Sequence, residues 1–242
     1  MNLTPRTLAA VLAALSLAPA GAAVIETHSY TTDSTNNYNG LISATDLINA
    51  GQDSLLSATS TGAFQGNNDA THGLAGTHDG KGQGLVPGDD QANTAFTYNN
   101  AVTLTYTLNT TGTNGSATGY TIMAVDVVAG WPSAAKYANQ SWSVAVATVA
   151  NPTVFNKLAD VAYYPADGSE GSSGYTHVQL TRDTGALATG ISAIQVVLNA
   201  TTSIISEIDV TGFATPVPEP AALTLLLAGL LGTGLRHRRP AK

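Results

Sequence analysis

AVTLTYTL, residues 101–108, alternates without a break: Val102, Leu104, Tyr106 and Leu108 fall on one side, Thr103, Thr105 and Thr107 on the other. A period of two places successive side chains on opposite faces of an extended chain, so this stretch reads as a strand with one face in a core and a hydroxyl-bearing face outward. Further along, SWSVAVATV (141–149) repeats the pattern with Trp142, Val144 and Val146 on one face. YTIMAVDVV (120–128) is more continuously apolar, as expected of a central strand, and ISAIQVVL (191–198) and SIISEIDV (203–210) add two more. Weaker strands are expected at Val24–Tyr30, Leu158–Tyr163 and Thr176–Thr181, separated by turn-rich pieces at 109–119, 167–174 and 181–190. Many short strands at this spacing predict an all-β sandwich or barrel. The one helical signal is a turn capped by Thr45 or Asp46 and ending at Gly51.

Charged residues make up only 10% of the chain. Residues 23–215 hold four basic side chains (Lys81, Lys136, Lys157 and Arg182) against fifteen acidic ones, a net charge of −11. Such a segment is repelled by nucleic acid and anionic lipid and attracts divalent cations. With no cysteine there is no disulfide and no thiolate metal site, so stability rests on the core, with or without a bound ion. A Gly- and Asp-rich stretch from Gln65 to Gln91 reads as a long loop, a kind that is often functional.

Both ends read as targeting segments. One basic residue (Arg6), an apolar run from Leu8 to Ala18 and the small residues Ala20 and Ala22 define a secretory signal peptide over 1–22, cut by signal peptidase before Ala23. At the other end Val217-Pro218-Glu219-Pro220 precedes an uncharged run, Ala221 to Leu235, and the basic residues Arg236, Arg238 and Arg239. The run is at the short edge for a membrane span, and the basic end belongs on the cytoplasmic side. This order resembles the PEP-CTERM sorting signal of Gram-negative bacteria. The resemblance implies export through the inner membrane and transient anchoring there by a transmembrane helix. It further implies processing by an exosortase near the Pro-Glu-Pro motif and an association with exopolysaccharide and biofilm. The expected division is 1–22 signal peptide, 23–215 one β domain and 216–242 sorting tail, with the domain ending at the cell surface or in the extracellular matrix.

A second resemblance rests on the order of several pieces: Ser43-Ala44-Thr45-Asp46-Leu47, Asp79-Gly80, the strand Val102–Leu108, Gly119-Tyr120-Thr121-Ile122 leading to Gly130-Trp131, Gln140-Ser141-Trp142-Ser143-Val144, and Ser206-Glu207-Ile208-Asp209-Val210. Together they are similar to the galactose-binding-like jelly rolls of discoidin-type and carbohydrate-binding modules. The resemblance implies a structural Ca²⁺ held by Asp79 and Glu207 with backbone carbonyls, Thr94 being a further contact. The alternative for these two is an ordinary Asp-Gly turn and an exposed strand residue. Sugar binding needs rings that stack on apolar sugar faces and polar groups for hydroxyls. Trp131, Tyr137 and Tyr164, with Tyr163, supply rings and Arg182 a donor, although Trp131 and Tyr163 can equally cap the core.

Catalysis has little support. His28, His72, His78 and His177 are present, and His72 and His78 flank a loop with Asp69 and Asp79. Neither an HExxH zinc motif nor a GxSxG elbow occurs. The sequence therefore reads as an exported, non-catalytic jelly-roll sandwich that binds carbohydrate, the cell's own exopolysaccharide among the candidates. A structural or adhesive matrix protein without a small ligand is the alternative, and a secreted hydrolase the third.

Overall fold

The alternation at 102–108 becomes a strand whose Val102, Leu104, Tyr106 and Leu108 are buried and whose threonines are half-buried on the outside. The computed structural model describes residues 23–32, 43, 45–64, 73–80, 95–97, 100–131, 135–165, 174–200 and 203–217. Among them ten strands form: β1 Val24–Thr31, β2 Leu55–Thr61, β3 Ala95–Phe96, β4 Val102–Leu108, β5 Tyr120–Trp131, β6 Gln140–Thr148, β7 Asn151–Tyr163, β8 Gly174–Arg182, β9 Ala188–Leu198 and β10 Ile204–Ala214. The expected signal peptide, the cleavage residues Ala20 and Ala22, and the tail from Pro218 onward lie outside the described residues, as do Asp69, His72 and Thr94.

All pairings are antiparallel. One layer runs β1-β8-β5-β10-β3 and the other β2-β4-β9-β6-β7. The layers join where the start of β5 pairs with the start of β9, Tyr120 opposite Ile191 and Ile122 opposite Ala188. The result is a jelly-roll β-sandwich. Its inner faces share one core containing Leu104 and Tyr106 of β4, Val127 of β5, Trp142 of β6, Ile194 of β9 and Ile208 of β10. Burying one such apolar side chain stabilises by about 1.5–3 kcal/mol.

Two differences from the sequence reading have physical causes. No helix forms at 45–51: Asp46 Oδ1 instead accepts from Ile48 N at 2.7 Å, closing an Asx turn that competes with helical hydrogen bonding. Strand β2, LLSATST, gives no sequence signal because a bulge between Leu55 and Ser57 breaks its alternation and leaves Leu56 61% exposed.

One polar group is carried deep between the layers. Gln140 is fully buried; its Nε2 donates to Val127 O at 3.0 Å and Thr176 Oγ1 at 2.8 Å, and its Oε1 accepts from Trp142 Nε1 at 2.8 Å. The largest core ring thus has its N–H satisfied, which burial requires.

Candidate functional site

The end of the chain places acids where apolar neighbours would be expected. On β10, Ile208 and Val210 point into the core, so Glu207 and Asp209 share the outer face. A register shift between Ile205 and Glu207 inserts Ser206 just before them. Two segments cover this face. The turn region 43–54 is tied by Leu47 N to Val210 O at 2.8 Å, and the segment 73–80 is tied to it by Ala50 N to His78 O at 2.7 Å.

Under this cover, ligand-type oxygens of Asp46, Glu207 and Asp209 lie within 4.8 Å of one another. The three residues are 1%, 0% and 2% exposed. One oxygen of each is engaged by a backbone N–H: Ile48 N to Asp46 Oδ1 at 2.7 Å, Gly80 N to Glu207 Oε1 at 3.2 Å, and Ser43 N to Asp209 Oδ2 at 2.9 Å. The other oxygen of each, Asp46 Oδ2, Glu207 Oε2 and Asp209 Oδ1, is buried without a hydrogen-bond partner. Burial, reinforced by the charges of its acidic neighbours, pushes Glu207 up to about 10 and Asp46 up to about 7. Burial chiefly pushes Asp209 up to about 6. Three carboxylates this close cannot all ionise in a low-dielectric site unless a cation or protons balance them.

The cover is built with care for backbone space. Tyr106 of β4 reaches it: the Tyr106 hydroxyl lies 2.6 Å from Thr77 Oγ1, and Thr77 Oγ1 donates to Leu74 O at 2.6 Å, so Tyr106 donates to Thr77. His78 is buried and its Nδ1 faces Leu74 O at 2.9 Å, so Nδ1 carries the proton. Burial lowers its pKa and keeps it neutral. Gly80 has φ +70°, and a Cβ there would lie 2.4 Å from Asn49 Nδ2. Gly80→Ala is therefore expected to destabilise by ~2 kcal/mol, about half from the left-handed backbone and the rest from displacing Asn49, as measured by urea unfolding. Adding Asn49→Ala should return only the second part.

Of the residues expected to hold an ion, Glu207 lies inside this cluster. Asp79 lies beside it, half-buried, its charge helping to raise Glu207, while its neighbour Gly80 supplies the N–H. Asp46 and Asp209 complete the set. The sequence signal for Asp209 is its spacing of two from Glu207 inside an apolar strand; Asp46 carries two signals, as a cap and as part of the Ser43–Leu47 piece of the resemblance, neither of which marks it as an ion ligand.

The aromatic candidates gather at one pole. Trp131 ends β5 opposite Gly174, the first residue of β8, and Tyr163 ends β7 opposite Gln140, the first of β6. Tyr137 sits on the short 3-10 turn Ala135–Ala138 between β5 and β6, with Lys136 Nζ 5.3 Å from its ring centroid. Tyr164 is 54% exposed and Trp131 half-buried. Tyr163 stacks on His28 at 4.3 Å, which ties the β1 edge to the β7 edge. Arg182 does not join them. It ends β8 opposite Val24, eight residues from Gly174, or ~26 Å at about 3.3 Å per residue. The remaining histidine, His177, contacts Asp126 at 2.7 Å.

The chain leaves the domain at the opposite pole. Thr215 N donates to Gly119 O at 2.8 Å, just before Tyr120 begins β5, and Val217 is 70% exposed.

Residues 216–239, which include Val217, Pro218, Glu219, Pro220, Arg236, Arg238 and Arg239, match the PEP-CTERM protein-sorting motif. That motif implies export and membrane anchoring before processing. No curated protein matches the chain. Solved structures that it resembles include CBM32 modules from Clostridium perfringens. CpGH89CBM32-5 from Clostridium perfringens, solved in complex with GalNAc-beta-1,3-galactose, is 12% identical; the match covers 63% of this chain and 94% of that one, with a TM-score of 0.34. CpGH89CBM32-4 from the same organism is 11% identical, covering 69% of this chain and 98% of that one, with a TM-score of 0.34. CBM32-1 from a family 31 glycoside hydrolase of Clostridium perfringens is 8% identical, covering 66% and 96%, with a TM-score of 0.34.

Proposed function

We propose that residues 23–215 form an exported, non-catalytic carbohydrate-binding domain that meets its glycan at the pole of Trp131, Tyr137 and Tyr164. The observation that carries this reading is the grouping of these rings at the end of the sandwich opposite the sorting tail. Anchored by the tail, the domain presents its rings away from the membrane, and after exosortase processing it acts at the cell surface or in the matrix. Arg182 is too far along β8 to share a sugar with these rings, so polar contacts come from groups near the pole. Lys136 is the nearest cation to Tyr137.

The same reading assigns a structural Ca²⁺ to Asp46, Glu207 and Asp209, with Asp79 at its rim. The donor set fits: three carboxylates, each with an oxygen that is buried and unpaired, and no thiolate or imidazole among them. Hard oxygen donors of this kind suit calcium or magnesium, and the shorter reach of Mg²⁺ favours calcium in a protein-walled site. The ion would join residues 46, 79–80 and 207–209, three segments far apart in sequence, into one cover.

The test is a glycan array probed with the exported protein in calcium, followed by titration of any hit against Tyr164→Ala. Tyr164 is exposed, so its loss should leave folding intact while lowering affinity about tenfold, the scale of one lost ring contact. No binding to any glycan would sink the sugar-binding reading and leave a structural matrix protein in its place.

A further inference from the structure

On the outer face of the β2-β4-β9-β6-β7 layer, β2 and β4 pair hydroxyl with hydroxyl. Cross-strand register sets Ser57 beside Thr107, Thr59 beside Thr105 and Thr61 beside Thr103. The rows continue across β9 and β6 through Val197 and Ser143, Gln195 and Ala145, and Ala193 and Ala147. They meet charge only at β7, where Lys157 and Asp160 neutralise each other at 2.6 Å. Strand geometry spaces these rows ~6.6 Å apart.

At one end this face deepens into a groove of about 410 Å³. Thr105 and Thr107 line it. Leu56, thrown outward by the β2 bulge, lines it too, as do Pro152 and Phe155 at the start of β7. Among the described residues no acidic or basic side chain lines it. Thr107, Thr110 and Thr153 line it, and their hydroxyls make no hydrogen bond among the described residues.

We infer that this groove binds a segment of neutral polysaccharide. Hydroxyls that both donate and accept match sugar hydroxyls, and a ring with flanking apolar walls matches the C–H face of a pyranose. An acidic glycan is disfavoured by the net charge of −11 over residues 23–215 and by the lack of any cation in the lining. The groove stands on its own residues, independent of the aromatic pole. It adjoins the 109–119 turn, where Tyr120 Oη donates to Asn109 O at 2.9 Å, and so sits toward the tail. Trp131 lies at the far end of β5, eleven residues from Tyr120, or ~35 Å away.

The test follows threonine methyl NMR signals of the exported protein as cellohexaose, maltohexaose and mannohexaose are titrated in, with hexagalacturonate as the acidic counterpart. At least one neutral hexamer should shift the Thr107 and Thr153 methyls saturably. Phe155→Ala should weaken that binding at least tenfold and Thr107→Val at least threefold, while Tyr164→Ala leaves it unchanged. The inference is overturned if none of the three neutral hexamers shifts these methyls, if hexagalacturonate binds as tightly, or if both groove variants bind like the parent. Shifts confined to the Trp131 and Tyr164 pole would overturn the groove while supporting the pole; shifts at neither would overturn both.

Discussion

Calcium at about a hundred times its dissociation constant is expected to raise the unfolding temperature of the chain by ~5–10 °C over its value in chelator. Binding to the folded state alone is worth about 2.7 kcal/mol at that concentration, and a domain of this size gains roughly 2–4 °C per kcal/mol. The pH dependence carries a sign that helps identify the site. In chelator, Asp209, Asp46 and Glu207 hold protons up to about 6, 7 and 10 in the folded chain, against about 4 when unfolded. The folded state then binds more protons than the unfolded one. The stability these carboxyls contribute is full at low pH and falls as pH rises through 6 and 7 and on toward 10. A bound calcium would take the place of those protons, so in calcium the decline between pH 5 and 8 should shrink or reverse. Thermal scans at pH 5 to 8 with and without calcium check this. The ion site is lost from the account if both series fall together. Glu207→Gln separates the ion from the fold: at pH 7 Glu207 is already protonated in chelator, so the variant should melt within a few degrees of the parent there and gain nothing from calcium.

Gln140→Leu costs ~2–4 kcal/mol, read as a lower urea midpoint with an unchanged slope. Leucine fills much of the same volume but leaves the Trp142 indole N–H, itself fully buried, without an acceptor. It also removes the donor to Val127 O and Thr176 Oγ1, although Thr176 keeps its own bond to Ala138 O at 2.5 Å. An orphaned buried donor costs about 1–3 kcal/mol, more than the net gain from one made bond. In the Gln140→Leu background, Trp142→Phe removes the orphan. The double variant should therefore be less destabilised than the sum of the two single changes by about 1–3 kcal/mol. Strict additivity would mean that the indole finds another acceptor.

Most of the sandwich is legible in the residues themselves because its central strands have one wet and one dry face. The pattern of β4 and β6 alone predicts which side of each meets the core, and Trp142, Val144 and Val146 are buried as that pattern requires. The sequence reading fell short where register changes locally. Strand β2 hides behind its bulge, and β7, expected only from Leu158, begins at Asn151 because its exposed first half has little apolar signal. The tail motif is local and contiguous, so its reading at 216–239 needed no fold at all.

The candidate ion site depended on more than any stretch of chain. Glu207 and Asp209 are two apart, and alternation alone places them on one face. Asp46 is more than 160 residues away, and only the packing of the 43–54 turn against β10 brings its carboxylate within 4.8 Å of them. Likewise Trp131, Tyr137, Tyr164 and Arg182 are equivalent as candidates on paper. Strand direction, which gathers three at one pole and sends Arg182 to the other, is decided by tertiary pairing. Sequence by itself determined the sorting motif, the fold class and the side of each regular strand that is buried, since those follow from local composition and a period of two. Only the tertiary structure decided which distant side chains share one desolvated volume, because closing the long loops between them requires the whole core to form first.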